Sequence, residues 1–380
     1  MKCNKLFLLV LFSSLFFVSC VKEDTPPFYT SKGTYDSGVL VLNEGNFQTP
    51  TASISYISFD LNKYTNNIYG LANGSSLGDS AQSIGFYNDL AYIVVSNSDK
   101  IEVVNRYTMV KLATISSDLN NPRYITFANG KAYVTNQANF ESFDDDYISV
   151  INLATNSQIK TISVPGGSAE KIIADGNKLY LAQGGLYTSG NKIVVLDANT
   201  DTILNSITVG DSPNSMEIEN GSLWVLCGGN SRYFPTAPSQ TSGKLIKINL
   251  SNNSVQALIS FPYDTGGDNP LVVYPSNLVL YGANKYFTIG SKIYKLKTIV
   301  SENGSISYSY PLVMTTSADE LLGFAIKTNK IYVSDVKDYT QNGKVLVYSL
   351  GETQDSPSLG SLLKTIDIGG IAPNGFYFNQ

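Results

Sequence analysis

PRYITFANGKAYVTN, residues 122–136, opens with a proline, runs as an alternating segment to a turn at Asn129-Gly130, and then alternates again. Alternation at period two on either side of Asn-Gly is the pattern of a β-hairpin. Tyr133 stands eleven residues after Pro122. PNSMEIENGSLWVLC (213–227) and PSNLVLYGANKYFTI (275–289) repeat the plan, with Trp224 and Tyr286 at the same offset. Ala81 to Tyr92 and Ala169 to Tyr180 keep the spacing with alanine in place of proline, and Leu321 to Tyr332 keeps it more loosely.

Two further strand signals follow each aromatic. DYISVINLATNSQIKTISV (146–164), NKIVVLDANTDTILNSITV (191–209) and GKVLVYSLGETQDSPSLGSLLKTIDI (343–368) each show an alternating strand, an Asp/Asn-rich turn and a closing strand. Four short strands recurring every 41–62 residues are the signature of a β-propeller blade. With Leu40 as the first anchor, the units are centred on Leu40, Tyr92, Tyr133, Tyr180, Trp224, Tyr286 and Tyr332. The first unit, GVLVLNEG, lacks a Pro-led strand, and a surplus one, APNGFYFNQ (372–380), follows the last. The expected fold is therefore all-β: a seven-bladed propeller over residues 38–380, its blades four-stranded and antiparallel. The C-terminal strand closes the first blade and removes the open sheet edges. No stretch shows a 3.6-residue period with caps, so almost no helix is expected. The anchor aromatics belong to the core between blades.

Ahead of the repeats, Lys2 and Lys5 precede an apolar run from Leu6 to Val18, then Ser19-Cys20. Such a run is too short to cross a bilayer and has the form of a secretion signal. A small residue before Cys points to a lipoprotein, with residues 1–19 removed and Cys20 lipidated, although Phe17 stands where such boxes usually have Leu. Residues 20–37 read as a flexible tether. Lys22-Glu23-Asp24 resembles a signal that sends lipoproteins to the outer face of some Gram-negative cells. The expected location is the outer membrane, exposed at the cell surface and held by the lipid alone.

Loss of residues 1–19 removes two of the 26 bases and none of the 31 acids, leaving a formal charge of −7. An acidic chain with no basic stripe is a poor nucleic-acid partner. Cys227 then has no disulfide partner other than the acylated Cys20, and reads as a buried packing residue. Histidine is absent, which excludes imidazole bases, Ser-His-Asp and Cys-His systems, and metal or haem sites built on His. No cofactor is expected.

Label the strands of a blade A (innermost) to D (outer edge). The B–C loops and D-to-next-A connections then share one face, and the A–B and C–D turns share the other. The first face carries NEGNFQTP (43–50), NQANFESFDDD (136–146), AQGGLYTSGN (182–191), CGGNSRYFPTAPSQTSG (227–243), PYDTGGDNPLVVYP (262–275) and DVKDYTQNG (335–343). The second carries short turns such as ANG, DGN, ENG and ATN, so length and aromatic content are expected on one side only. Exposed aromatics on long loops over a rigid scaffold make a binding surface. Phe47, Phe140, Tyr187, Tyr233, Phe234, Tyr263 and Tyr339 would ring it, with Glu44, Asn46, Arg123, Arg232 and Asp268 as polar partners. Asp144-Asp145-Asp146 lacks the spacing of a calcium loop and reads as a solvated acidic run.

The Pro-led repeat resembles the YncE-like seven-bladed propellers. NEGNF with ASISYIS (43–58), NPRYITFANGKAYVTN (121–136), PNSM…NGSLWVLCGGN (213–230) and PNGFYFN (373–379) look like a family of bacterial surface lipoproteins, the BtuG-like proteins. That resemblance implies capture of a ligand such as cobalamin and its delivery to a TonB-dependent outer-membrane transporter. Asn43, Glu44, Asn46, Arg123 and Asn214 match its motifs, as ligand contacts or as braces of the loop ends. Two alternatives stand beside it. One is a Ca²⁺-dependent propeller lactonase or hydrolase using Glu44, Asn136, Asp268 and Asp335; the other is an adhesion platform for protein or glycan.

Overall fold

The computed structural model describes residues 31–139, 142, 144–164, 166, 168–184, 190–230, 241–261, 274–351 and 357–380. Cys20 and the segments expected as signal and tether up to residue 30 lie outside them. Contacts divide the chain into residues 1–32 and a second unit, Gly33–Gln380.

Seven four-stranded antiparallel sheets form the blades of the second unit. In blades 2 to 5 strands A to D follow in chain order: Ala81–Tyr87, Leu90–Val95, Lys100–Asn105 and Lys111–Ile115; then Pro122–Ala128, Lys131–Asn136, Tyr147–Asn152 and Ser157–Ser163. Blade 4 is Ala169–Asp175, Lys178–Gln183, Lys192–Asp197 and Thr202–Thr208, and blade 5 is Pro213–Glu219, Ser222–Cys227, Lys244–Asn249 and Val255–Ser260. Blade 6 is Pro275–Tyr281, Asn284–Ile289, Lys292–Lys295 and Leu312–Thr315, and blade 7 is Leu321–Lys327, Lys330–Asp335, Asn342–Ser349 and Leu362–Ile371. Blade 1 takes strands B to D from Gly38–Asn43, Ser53–Ser58 and Tyr64–Thr65, and its inner strand from Pro373–Asn379. The register Val39↔Phe378, Leu40↔Tyr377, Val41↔Phe376 closes the ring as the repeat count requires.

Each anchor side chain is buried, from Leu40 and Tyr133 at 0% exposure to Trp224 at 7%. Its partner is the inner strand of the next blade: Tyr92 meets Phe127 at 5.2 Å, and Tyr332 meets Phe376 and Phe378 at 5.9 Å each. Each seam between blades therefore has its own apolar cluster. Cys227 is free and fully buried in one of them.

Among the described residues α-helix is almost absent, as expected, apart from one short element, whereas the expected plain turn face needs correction. A six-residue helix, Ile68–Asn73, sits in the connection from blade 1 to blade 2, where Asn67 Oδ1 accepts from the Gly70 N–H at 3.2 Å. The turn face is less plain than the short turns suggest. Blade 6 inserts a hairpin, Lys297–Val300 with Ile306–Ser309, between strands C and D, and blade 7 uses residues 350–361 there. Val300 and Ile306 face each other on that hairpin, 67% and 60% exposed. The sequence KLKTIVSENGSISYS has clear alternation about Asn-Gly, but it falls between two strands already assigned, where an insertion looks like blade spacing.

Candidate functional site

The site starts from an irregularity shared by the inner strands. In every blade the A–B register shifts at the second or third residue of strand A, as between Pro122 and Ile125, Ala169 and Ile172, and Pro213 and Ser215. A bulge adds a residue and re-aims side chains beside the ladder. The residue entering strand A is left-handed at Ser80, Asn121, Ser212 and Ala372, with φ of 50–57°. The loop beyond strand B docks on this corner: the Glu44 N–H donates to Ala372 C=O, Gln137 N–H to Asn121 C=O and Gly228 N–H to Ser212 C=O.

The bulge residues bond from blade to blade around the ring axis. Asn374 Nδ2 donates to Ala81 C=O at 3.0 Å, Ser83 Oγ to Arg123 C=O at 2.8 Å, Asn214 Nδ2 to Pro275 C=O at 2.9 Å and Asn277 Nδ2 to Leu322 C=O at 3.1 Å. Between blades 3 and 4 the link is ionic: Arg123 Nη2 lies 3.4 Å from Glu170 Oε1, which also accepts from Gln137 Nε2 at 2.5 Å. Lys171 and Glu217 continue the series on blades 4 and 5.

Signs therefore alternate along the wall: Glu44, Arg123, Glu170, Lys171, Glu217. Burial pushes the Glu44 carboxyl up; Arg123 opposes this and Asp79 adds to it. Burial alone would lower the Arg123 pKa, but Glu170, Tyr124 and Glu44 outweigh it and the net shift is upward. Lys171 is lowered by burial against Glu217 and Glu170, and Glu217 is raised by burial to about 7 against Lys171. The pair thus leans toward its neutral forms. Lys171 Nζ also lies 5.8 Å from the Tyr124 ring centre, and the Tyr124 hydroxyl accepts from Gln82 Nε2 at 3.1 Å.

The residues expected from sequence separate into groups. Glu44 and Arg123 come together at the mouth, Glu44 half-buried with its carboxylate free of hydrogen bonds among the described residues. Asn43 is fully buried; its Nδ2 donates to Ser53 and Ser55 hydroxyls at 3.1 Å, so it braces strands B and C of blade 1 and is closed to a ligand. Asn214 ties blade 5 to blade 6. Asn46 holds its loop through the main chain, accepting from Thr49 N–H and donating to Thr51 Oγ1 at 2.8 Å. Phe47 is 62% exposed and Tyr339 41%, the latter bonded through its hydroxyl to Glu320 Oε1 at 2.7 Å. Phe140, Tyr187, Arg232, Tyr233, Phe234, Tyr263 and Asp268 lie outside the described residues.

Asp146 departs from the solvated run: Asp144 and Asp145 are exposed, while Asp146 is 1% exposed and accepts from the Ala169 N–H at 2.6 Å. Burial drives its carboxyl up to about 7. Of the oxygen set suspected for calcium, Asn136 is committed to Ser149 and the Val134 carbonyl, and Asp335 Oδ1 to the Asp319 N–H. No cluster of three or more Asp, Glu, Cys or His placed to hold a metal occurs among the described residues. Beside the Glu44 loop a groove of about 660 Å³ opens between blades 1 and 7, lined by Thr51, Ser53, Leu71, Ser76, Asn342 and Gly370 among others, with no charged side chain.

Gln82, Tyr124, Gln137, Glu170, Lys171 and Glu217 were not picked out from sequence. Most occupy the second, third or fifth place of the inner-strand repeat, where polar residues recur at positions an alternating strand would leave unremarked.

Residues 37–358 match the family model described as a domain of unknown function, DUF5074. The chain belongs to the DUF5074 family. Among solved structures, this DUF5074 chain is similar to a quinonprotein alcohol dehydrogenase-like protein from Bacteroides thetaiotaomicron, at 15% identity and a TM-score of 0.61 over 92% of this chain and 80% of that one. A functionally unknown protein from Desulfotomaculum acetoxidans aligns at 12% identity and a TM-score of 0.60, over 90% and 98% of the two chains. The Pan2 WD40 domain of Neurospora crassa aligns at 12% identity and 0.54, over 79% and 83%. At such identities the likeness extends to the fold alone. No curated protein matches this DUF5074 chain in sequence.

Proposed function

We propose that this protein is a non-enzymatic, surface-tethered capture protein. It holds a small molecule on its loop face and passes it to a TonB-dependent outer-membrane transporter. The observation that carries this is the mouth of the ring, where Glu44, Arg123 and Glu170 are held by bulges, main-chain bonds and the Arg123–Glu170 ion pair. A rigid ring with a pre-set polar centre under variable loops suits selective binding, because little has to be ordered on association. The lipoprotein-like N-terminus and the BtuG-like motifs support a place on the cell surface, with cobalamin as the first ligand to try.

The test has two arms. The detergent-solubilised full chain, recovered from its own cells, is expected to co-purify a TonB-dependent barrel. Equilibrium binding to cyanocobalamin, a ferric siderophore and oligosaccharides is expected to give one ligand that is retained. Unchanged uptake of all three classes in a deletion strain under limitation would remove the delivery role.

A further inference from the structure

We propose, on the footing that the loop face is the capture site, that the captured molecule presents a cationic group, an ammonium or guanidinium, to the Glu44 carboxylate. Several acids at this end of the molecule have partners of their own, and Glu217, without a donor among the described residues, faces Lys171. Asp79 accepts from the Ser80 hydroxyl at 3.0 Å and from Asn97 Nδ2 at 3.3 Å; Asp99 accepts from the Asn121 N–H at 2.6 Å. Asp146 takes the Ala169 N–H, Asp335 the Asp319 N–H, and Glu170 both Gln137 and Arg123. Glu44 is held on both sides through its main chain, donating to Ala372 and accepting from Ala81, yet among the described residues nothing donates to its carboxylate. A carboxylate held in place by its own main chain and still reached by solvent is ready to accept a charge-assisted bond from a ligand.

The sign of that ligand follows from the neighbours. Arg123, the positive group nearest in influence, is closed onto Glu170, while Asp79 adds a second negative charge; the Tyr339 hydroxyl completes the set facing Glu44. An anion would meet uncompensated carboxylate, a neutral donor would satisfy a hydrogen bond, and a cation would gain both the bond and the field. An independent observation points the same way. At the ring mouth, the buried polar atoms left without partners among the described residues include Oδ1 of Asn214 and Asn374, both amide atoms of Asn121, and Arg123 Nε, so acceptors outnumber donors. Asn121, two residues before Arg123, is only 6% exposed.

The experiment is calorimetric titration of the full solubilised chain with spermidine, and with 1,4-butanediol and glutarate as neutral and anionic counterparts. Spermidine is expected to bind, weakening with salt and as pH falls through the raised Glu44 pKa. Glu44→Gln, isosteric and checked for an unchanged thermal melt, should weaken it at least about tenfold, since ion-paired hydrogen bonds contribute roughly twice what neutral ones do. Glu44→Asp should retain part of the affinity, and Asp144→Asn, on the same face but exposed, should leave it unchanged. Equal binding to wild type and Glu44→Gln, preference for glutarate, or no spermidine binding at millimolar concentration each overturns the assignment. A ligand from the capture panel that is retained equally by Glu44→Gln removes the cation and leaves capture standing. Spermidine binding that depends on Glu44, with uptake unchanged in the deletion strain, keeps the cation site and removes delivery.

Discussion

Arg106 Nε donates to Asn379 Oδ1 at 2.6 Å, across 273 residues of sequence. Arg106 Nη2 also donates to the Phe378 carbonyl at 2.9 Å, and Asn379 Nδ2 returns bonds to the Tyr35 and Arg106 carbonyls at 2.9 and 2.7 Å. The guanidinium lies 3.6 Å from the centre of the Phe86 ring. One arginine in the C–D turn of blade 2 thus pins the end of the strand that closes blade 1. Arg106→Ala and Asn379→Ala are each expected to cost about 1.5–3 kcal/mol in urea unfolding, the range for hydrogen bonds to a charged group. The double variant should cost less than the two together, because both break the same contact.

The anchor tyrosines offer an internal contrast. Tyr133 donates to Asp201 Oδ1 at 2.5 Å and lies 3.1 Å from the Ala198 carbonyl, whereas the Tyr180 hydroxyl is buried without a partner among the described residues. Tyr133→Phe should therefore lose about 1–3 kcal/mol, while Tyr180→Phe should be neutral or slightly stabilising. Tyr180→Ala, which empties the seam, should cost about 3–5 kcal/mol. Chemical denaturation of the three variants separates hydroxyl from ring.

Glu217 gives a pH dependence with a definite sign. Its folded carboxyl titrates near pH 7, against about 4 for an unfolded glutamate, so between these values the folded chain holds the extra proton. Its contribution is full below about pH 4 and is lost as pH rises toward 7. Glu217→Gln should flatten the corresponding fall in Tm over that window. A Tm profile identical to wild type would show that the group titrates normally.

Replacing Ile299–Ile306 by a two-residue turn should leave the fold and any loop-face binding intact. The excised tip is exposed, whereas Tyr308, which packs into the seam of blades 5 and 6, is retained. A stability change within about 1 kcal/mol is expected for shortening an exposed connection. Loss of cooperative unfolding would mean that the hairpin is part of the core.

Cys20→Ala should release the protein from the membrane fraction, as read by immunoblot after cell fractionation. Retention of the variant in the membrane fraction would rule out the lipid as the anchor.

The ring was legible because its parts repeat. Pro122, Pro213 and Pro275 share a register with Tyr133, Trp224 and Tyr286, and an orphan strand at one end matches a vacancy at the other. Glu44 and Arg123 were reachable through the loops that carry them. Glu170, Lys171 and Glu217 were not, because their meeting depends on the shift that each bulge introduces and on the seam between consecutive blades. Neither leaves a trace in local spacing. Asn43 shows the reverse: it stands in the motif beside Glu44, but alternation turns it inward onto Ser53 and Ser55.

The strand at Pro373–Asn379 has a consequence for biogenesis. While the chain is being made, the sheet begun at Gly38 stays unsealed until Pro373–Asn379 leaves the ribosome, so Leu40, Val41 and their neighbours remain sticky while everything between the two strands is synthesised. Any export machinery that threads the chain across a membrane unfolded would avoid that hazard, whereas a nascent fragment stalled before Pro373 would be a natural client for chaperones.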